Sequence, residues 1–90
     1  AYVAGPQARE VGLAALAPLH QHDAAHDTEL VRTLRAWLEA DAVIEAAART
    51  LGVHRHTVRA RIGLAERLLQ RDLGGFAARA DVWAALVATR

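Results

Sequence analysis

The sequence predicts an all-α fold, a small bundle of about five helices, and three observations carry that expectation. Leu30, Val31, Leu34, Trp37 and Leu38 recur at helical spacing, with Arg32, Arg35 and Glu39 left outside. From Arg55 onward, a step of about 100° per residue gathers Val58, Ile62, Ala65 and Leu69 into one narrow stripe. Between such segments stand the breakers Pro18, Gly52 and Gly74-Gly75. Ninety residues make one domain, with no room for a second catalytic lobe.

Residues 1–5 are expected to form a ragged entry, and Pro6 suits the first turn of a helix through Gln7, Glu10, Leu13, Ala14, Leu16 and Ala17. Its apolar residues do not fall on one stripe. Pro18 is expected to end or kink it, leaving residues 20–27, rich in His and Asp, as a polar connector. Residues 1–27 then read as the tail of an upstream region. Asp27 or Thr28 is expected to cap the next helix, residues 28–40, in which Trp37 lies on the apolar stripe as a core anchor.

Asp41-Ala42-Val43 breaks the chain before a helix over residues 44–51, where Ile44, Ala47, Ala48 and Leu51 share a face. Gly52-Val53 is a tight turn, and the following helix starts at His54 or Arg55 and continues to about Leu69. A small residue at Ala48, a glycine at Gly52 and an apolar residue at Val58 are what two steeply crossing helices need. Ala48 lets the backbones approach, Gly52 permits the turn and Val58 plugs the crossing. That is the spacing of a DNA-binding helix-turn-helix. Opposite the buried stripe lie His56, Ala60, Gly63 and Arg67, flanked by Thr57 and Arg59. Ala60 and Gly63 are small enough to let the helix axis sit close to base edges. Leu64 and Leu68 fall off the stripe and want cover from the final helix or from a partner subunit. That final helix begins at about Ala77 or Asp81 and offers Val82, Trp83, Leu86 and Val87 to the core, with Phe76 packing at its entrance.

Charge points to the same segment. The formal net charge is only +1, yet residues 49–71 carry six arginines against the single acid Glu66, a local +5, while the remainder sums to −4. A cationic face on an acidic support is the footprint of a nucleic-acid-binding element. Every basic residue is Arg, the better bidentate partner of phosphate and guanine.

Other classes are disfavoured. No apolar run approaches the roughly 18 residues of a membrane span. Cysteine is absent, which removes disulfides, thiolate metal sites and cysteine nucleophiles and fits a reducing, cytoplasmic compartment. There is no serine, no glycine-rich phosphate loop and no convincing carboxylate pair, so no enzyme and no cofactor is expected. His20, His22, Asp23 and His26 match no specific metal-ligand spacing. The competing class is a helical protein-interaction or dimerisation module that keeps the helix-turn-helix shape without binding DNA.

Residues 29–73 resemble the C-terminal helix-turn-helix domain of the PucR and CdaR type of bacterial transcription regulators. The likeness is carried by Glu29-Leu30-Val31-Arg32-Thr33-Leu34-Arg35-Ala36-Trp37-Leu38-Glu39, by Ala46-Ala47-Ala48-Arg49-Thr50-Leu51-Gly52-Val53-His54-Arg55, and by Thr57-Val58-Arg59, Arg61-Ile62, Glu66, Leu68 and Leu69. The resemblance implies that residues 28–90 are the output domain of a longer regulator, whose upstream region senses a small-molecule effector and associates into dimers or larger oligomers. The family usually has Asn where His56 stands, a basic residue where Leu64 stands and a larger apolar residue where Ala65 stands. On this reading the chain binds double-stranded DNA, with the helix from about His54 to Leu69 in the major groove. His56 and Arg59, early and outward, are the expected base readers. Arg49, Arg55, Thr57, Arg61 and Arg67 are expected at phosphates, and His54 stands at the start of the same helix.

Overall fold

A computed structural model describes residues 5–90, so all but Gly5 of the ragged entry expected over residues 1–5 lies outside the described residues. The described residues form five helices and no strand: α1 (Pro6–His26), α2 (Leu30–Glu39), α3 (Ile44–Leu51), α4 (Arg55–Leu69) and α5 (Phe76–Ala88). A single core joins them. Leu16 and Leu19 from α1, Leu30 and Leu34 from α2, Val58 from α4, Leu73 from the last loop and Leu86 from α5 are all buried together. Trp37 lies in this core, as its place on the apolar stripe predicts.

α1 departs from the expectation. Pro18 neither ends it nor leaves a polar connector, because the helix runs on through His26. An interior proline costs about 3 kcal/mol through its missing N–H and its clash with the preceding turn. Burying a leucine returns about 1.5–3 kcal/mol, and Leu16 and Leu19, flanking Pro18, are both essentially inaccessible. Ala14, whose carbonyl loses its partner to the proline, is exposed and can be hydrated. The side chains of α1 follow the core and not a clean stripe because one of its contacts is a bare backbone. A Cβ on the buried Gly12 would stand 2.8 Å from Thr89 Cγ2 and 3.0 Å from the Ala85 carbonyl oxygen. α1 and α5 therefore pack at backbone distance.

The second departure is the start of α2. Neither Asp27 nor Thr28 caps it; the carboxylate of Asp23, on the last turn of α1, does so from outside. Asp23 Oδ1 accepts the N–H of Leu30 at 2.8 Å and Oδ2 that of Val31 at 3.1 Å. The Thr28 hydroxyl donates to Asp23 Oδ1 at 2.6 Å, and His22 Nδ1 lies 2.9 Å from the same hydroxyl. With its one proton committed to Asp23, Thr28 accepts from His22. Burial alone raises the Asp23 pKa, but the hydrogen bonds from Thr28, Leu30 and Val31, with His22 nearby, outweigh it and hold the group below its ordinary value.

A carboxyl whose folded pKa is lowered stabilises the fold above its ordinary range, and that contribution is lost as pH falls through the folded value. Asp23→Ala is accordingly expected to cost about 1 kcal/mol near neutrality, the usual size of a lost cap. Thermal melts of parent and variant check this: their difference should shrink on acidification below the ordinary carboxylate range, and a constant difference would contradict the ionic cap.

The final segment also corrects one expectation. Leu73, not Phe76, is the residue inserted before α5: Leu73 is 1% exposed, whereas Phe76 is 78% exposed. Leu73 is pinned at both backbone groups, its N–H by Glu66 Oε2 at 2.8 Å and its carbonyl by Arg79 Nη1 at 3.0 Å. Within α5, Val82 and Leu86 are buried with Ala78 and Ala85, while Trp83 and Val87 are half-buried. Leu64 and Leu68 are half-buried against the protein's own core.

Candidate nucleic-acid interface

The pair α3 and α4 is built as local chemistry requires. α3 ends at Gly52, whose φ of 69° lies in the left-handed region where a side chain is disfavoured. That turn lets the N–H groups of Gly52 and Val53 both reach the Ala48 carbonyl, at 2.9 and 3.1 Å. Ala48 is buried at the crossing, and Val58 is fully inaccessible beneath it. The three residues singled out for the helix crossing thus occupy the expected places. α4 then starts at Arg55, with His54 as its capping residue: His54 Nδ1 accepts the N–H of His56 at 3.1 Å. The rings of His54 and His56 stack, with centroids 4.7 Å apart and planes inclined by 26°.

Val58, Ile62 and Ala65 bury one face of α4, with Leu69 half-buried behind them. His56, Ala60 and Arg67 are exposed on the opposite face and Arg59 on its flank, Arg55 is exposed at the start of the helix, and Arg49 is exposed on α3. Thr57 is half-buried. Among the described residues the ion pairs are Arg32 with Glu29, Arg61 with Glu29, and Arg71 with Asp81. Arg49, Arg55, Arg59 and Arg67 have no carboxylate partner there. Four exposed guanidinium groups without carboxylate partners, carried by two adjacent helices, make a field that an anion can enter without first breaking an internal ion pair.

Arg61 sits differently from the other arginines. It is half-buried, and its Nη1 donates to the hydroxyl of Thr33 at 3.1 Å and lies 3.8 Å from Glu29 Oε2. Thr33 is the one polar residue buried among the described residues, and this bond satisfies it. Arg61 therefore ties α4 to α2. Sequence spacing did not separate it from its outward neighbours, because the helical angle of Arg61 falls between the exposed face and the apolar stripe.

Gly63 lies in the outward face, and packing does not require it. A Cβ there would meet only Arg67 Nη1, at 3.6 Å, an ordinary contact. A helix-interior glycine costs about 1 kcal/mol relative to alanine, so Gly63→Ala is expected to raise the melting temperature while weakening DNA binding. Stability raised with DNA affinity unchanged would show that the missing side chain serves no close approach.

Three contributors carried little signal in the sequence. Asp23 and Glu66 act across loops on backbone N–H groups, and the capping role of His54 is one that Ser, Thr, Asp or Asn usually fills. The sequence cue for His54 is its place directly after the Gly52-Val53 turn.

Comparison with known proteins agrees with this geometry. The family model of the PucR C-terminal helix-turn-helix domain matches residues 30–88. The chain is also similar to an uncharacterized protein encoded in the pkwA 5′ region of Thermomonospora curvata, 40% identical over 80 residues. That alignment covers 89% of this chain and 44% of the relative, so the chain spans less than half of the relative's length. No solved structure matches the chain. A match running from the first residue of α2 to the last of α5, over a helix pair with this turn and this arginine face, is decisive: the chain belongs to the PucR C-terminal helix-turn-helix family of DNA-binding regulator domains.

Proposed function

We propose that this chain is the sequence-reading output domain of a bacterial transcription regulator, with α4 lying in the major groove and α3 crossing the backbone above it. The observation that carries the reading is the set of exposed arginines without carboxylate partners, Arg49, Arg55, Arg59 and Arg67, on the helix pair α3 and α4. His56 and Arg59 read base edges, since they lie on the first turns of α4 and face outward. Arg49, Arg55, Thr57 and Arg67 contact phosphates and fix register. Arg61 holds α4 against α2 and reaches the DNA backbone with the guanidinium N–H groups that Thr33 leaves free. His54 caps the start of α4 beside the same phosphates.

One such domain reads only a short half-site. Useful specificity therefore comes from a homodimer on two half-sites, about 34–36 Å apart for one helical turn of DNA. In this reading α1 links the domain to an upstream region that senses a small effector, and the regulator works in the cytoplasm. No helix among the described residues is long and apolar enough to cross a membrane.

The test is the salt dependence of binding to a pool of random-sequence duplexes. Arg55→Ala should weaken all sequences alike and reduce the slope of log affinity against log salt by about one. Binding that is absent at low salt, or insensitive to salt, would reject the reading. An interaction module without DNA binding would give that result.

A further inference from the structure

We infer that His54 is the positioning residue of this interface: it sets the imidazole of His56 before any DNA is met. The inference rests on the proposed placement of α4 in the major groove. His54 holds two constraints at once. Its Nδ1 accepts the His56 N–H at 3.1 Å, and its ring lies against the His56 ring at 4.7 Å between centroids. An accepting Nδ1 leaves the ring proton on Nε2, so the hydrogen bond selects one tautomer and fixes the ring's direction. The plane that His56 stacks on is thereby anchored to the backbone of His56 itself.

His56 is exposed, and no hydrogen bond holds its side chain among the described residues. The stack is what orders it. Without that plane His56 would sample several staggered rotamers, and contact with a base edge would first have to immobilise it. Ser, Asn and Asp are the usual capping residues and would close the helix end equally well. They lack a flat face. A histidine at the cap supplies both the acceptor and the surface that orders the next reader along the helix.

His54→Ser separates the two roles, because serine keeps a capping oxygen and removes the ring. The melting temperature should stay near that of the parent chain. In the DNA-free parent, nuclear magnetic resonance should show cross-peaks between the two rings and a single χ1 rotamer for His56; in the variant the His56 couplings should average. In selection from duplexes with a randomised stretch, preference at the base pair read by His56 should fall about three- to tenfold, the size of one unordered side chain. The same substitution in a His56→Ala background should add no further loss.

A parent chain without the ring cross-peaks, or with an averaged His56 rotamer, would overturn the inference. So would a His54→Ser variant with intact base preference, or a loss that adds in full to that of His56→Ala. Failure of the underlying groove reading looks different: the parent enriches no duplex at all, and the role of His54 in recognition falls with it.

Discussion

Gly12→Val is expected to destabilise the fold by about 1–3 kcal/mol, the usual penalty for forcing extra atoms into a packed contact. Even a single added carbon would stand 3.0 Å from the Ala85 carbonyl oxygen, a backbone atom that cannot swing aside. Valine adds two further methyl groups on a β-branched, rotamer-restricted side chain. Replacing glycine in a helix ordinarily helps, so the sign itself is informative. Gly12 and Gly63 are both helix-interior glycines, yet only Gly12 has another helix's backbone against it. Chemical denaturation of the two variants should move the midpoint in opposite directions. If Gly12→Val is as stable as the parent, α1 does not pack on α5 as described.

The second large effect concerns recognition. Arg59→Ala should cost about 1–3 kcal/mol on the preferred duplex, the worth of a good bidentate base contact, and nearly nothing on a duplex changed at that base pair. Arg59 is exposed and pairs with no carboxylate among the described residues, so the fold should not notice its loss. Competition between duplexes differing at single positions measures this directly. A uniform loss across all of them would make Arg59 a phosphate contact, and recognition would then rest elsewhere on α4.

These two residues also mark where the sequence was readable. The α3 and α4 pair was legible because its determinants are local: Ala48, Gly52 and Val58 lie within a few turns of one another, and each has a conformational or steric reason to be where it is. The outward places of Arg59 and Arg67 followed from the same helical geometry once the buried stripe of Val58, Ile62 and Ala65 was fixed. Arg61 shows the limit of that method, since only the arrival of Thr33 and Glu29 from α2 decides which way it turns.

α1 was the least legible element. A proline in its middle and a scattered apolar pattern argue for an early stop, and the compensation comes from α5, at the far end of the chain, through Ala85 and Thr89 packed on Gly12. The cap of α2 was hidden for a related reason. Helix starts are read from the residues immediately before them, whereas Asp23 reaches Leu30 and Val31 from the preceding helix. Phe76 illustrates a third case, because an aromatic side chain beside a glycine pair carries no mark of whether the core has room for it, and Leu73 takes the place.

The most direct measurement is a nuclear magnetic resonance titration of this chain, isotope-labelled, with a duplex enriched from a random pool. The account predicts that the amide shifts that move belong to Arg49 and to residues 54–67, while those of α1 and α5 stay where they are. Shifts confined to α1 and α5, or an unchanged α4 on a duplex that does bind, would contradict it.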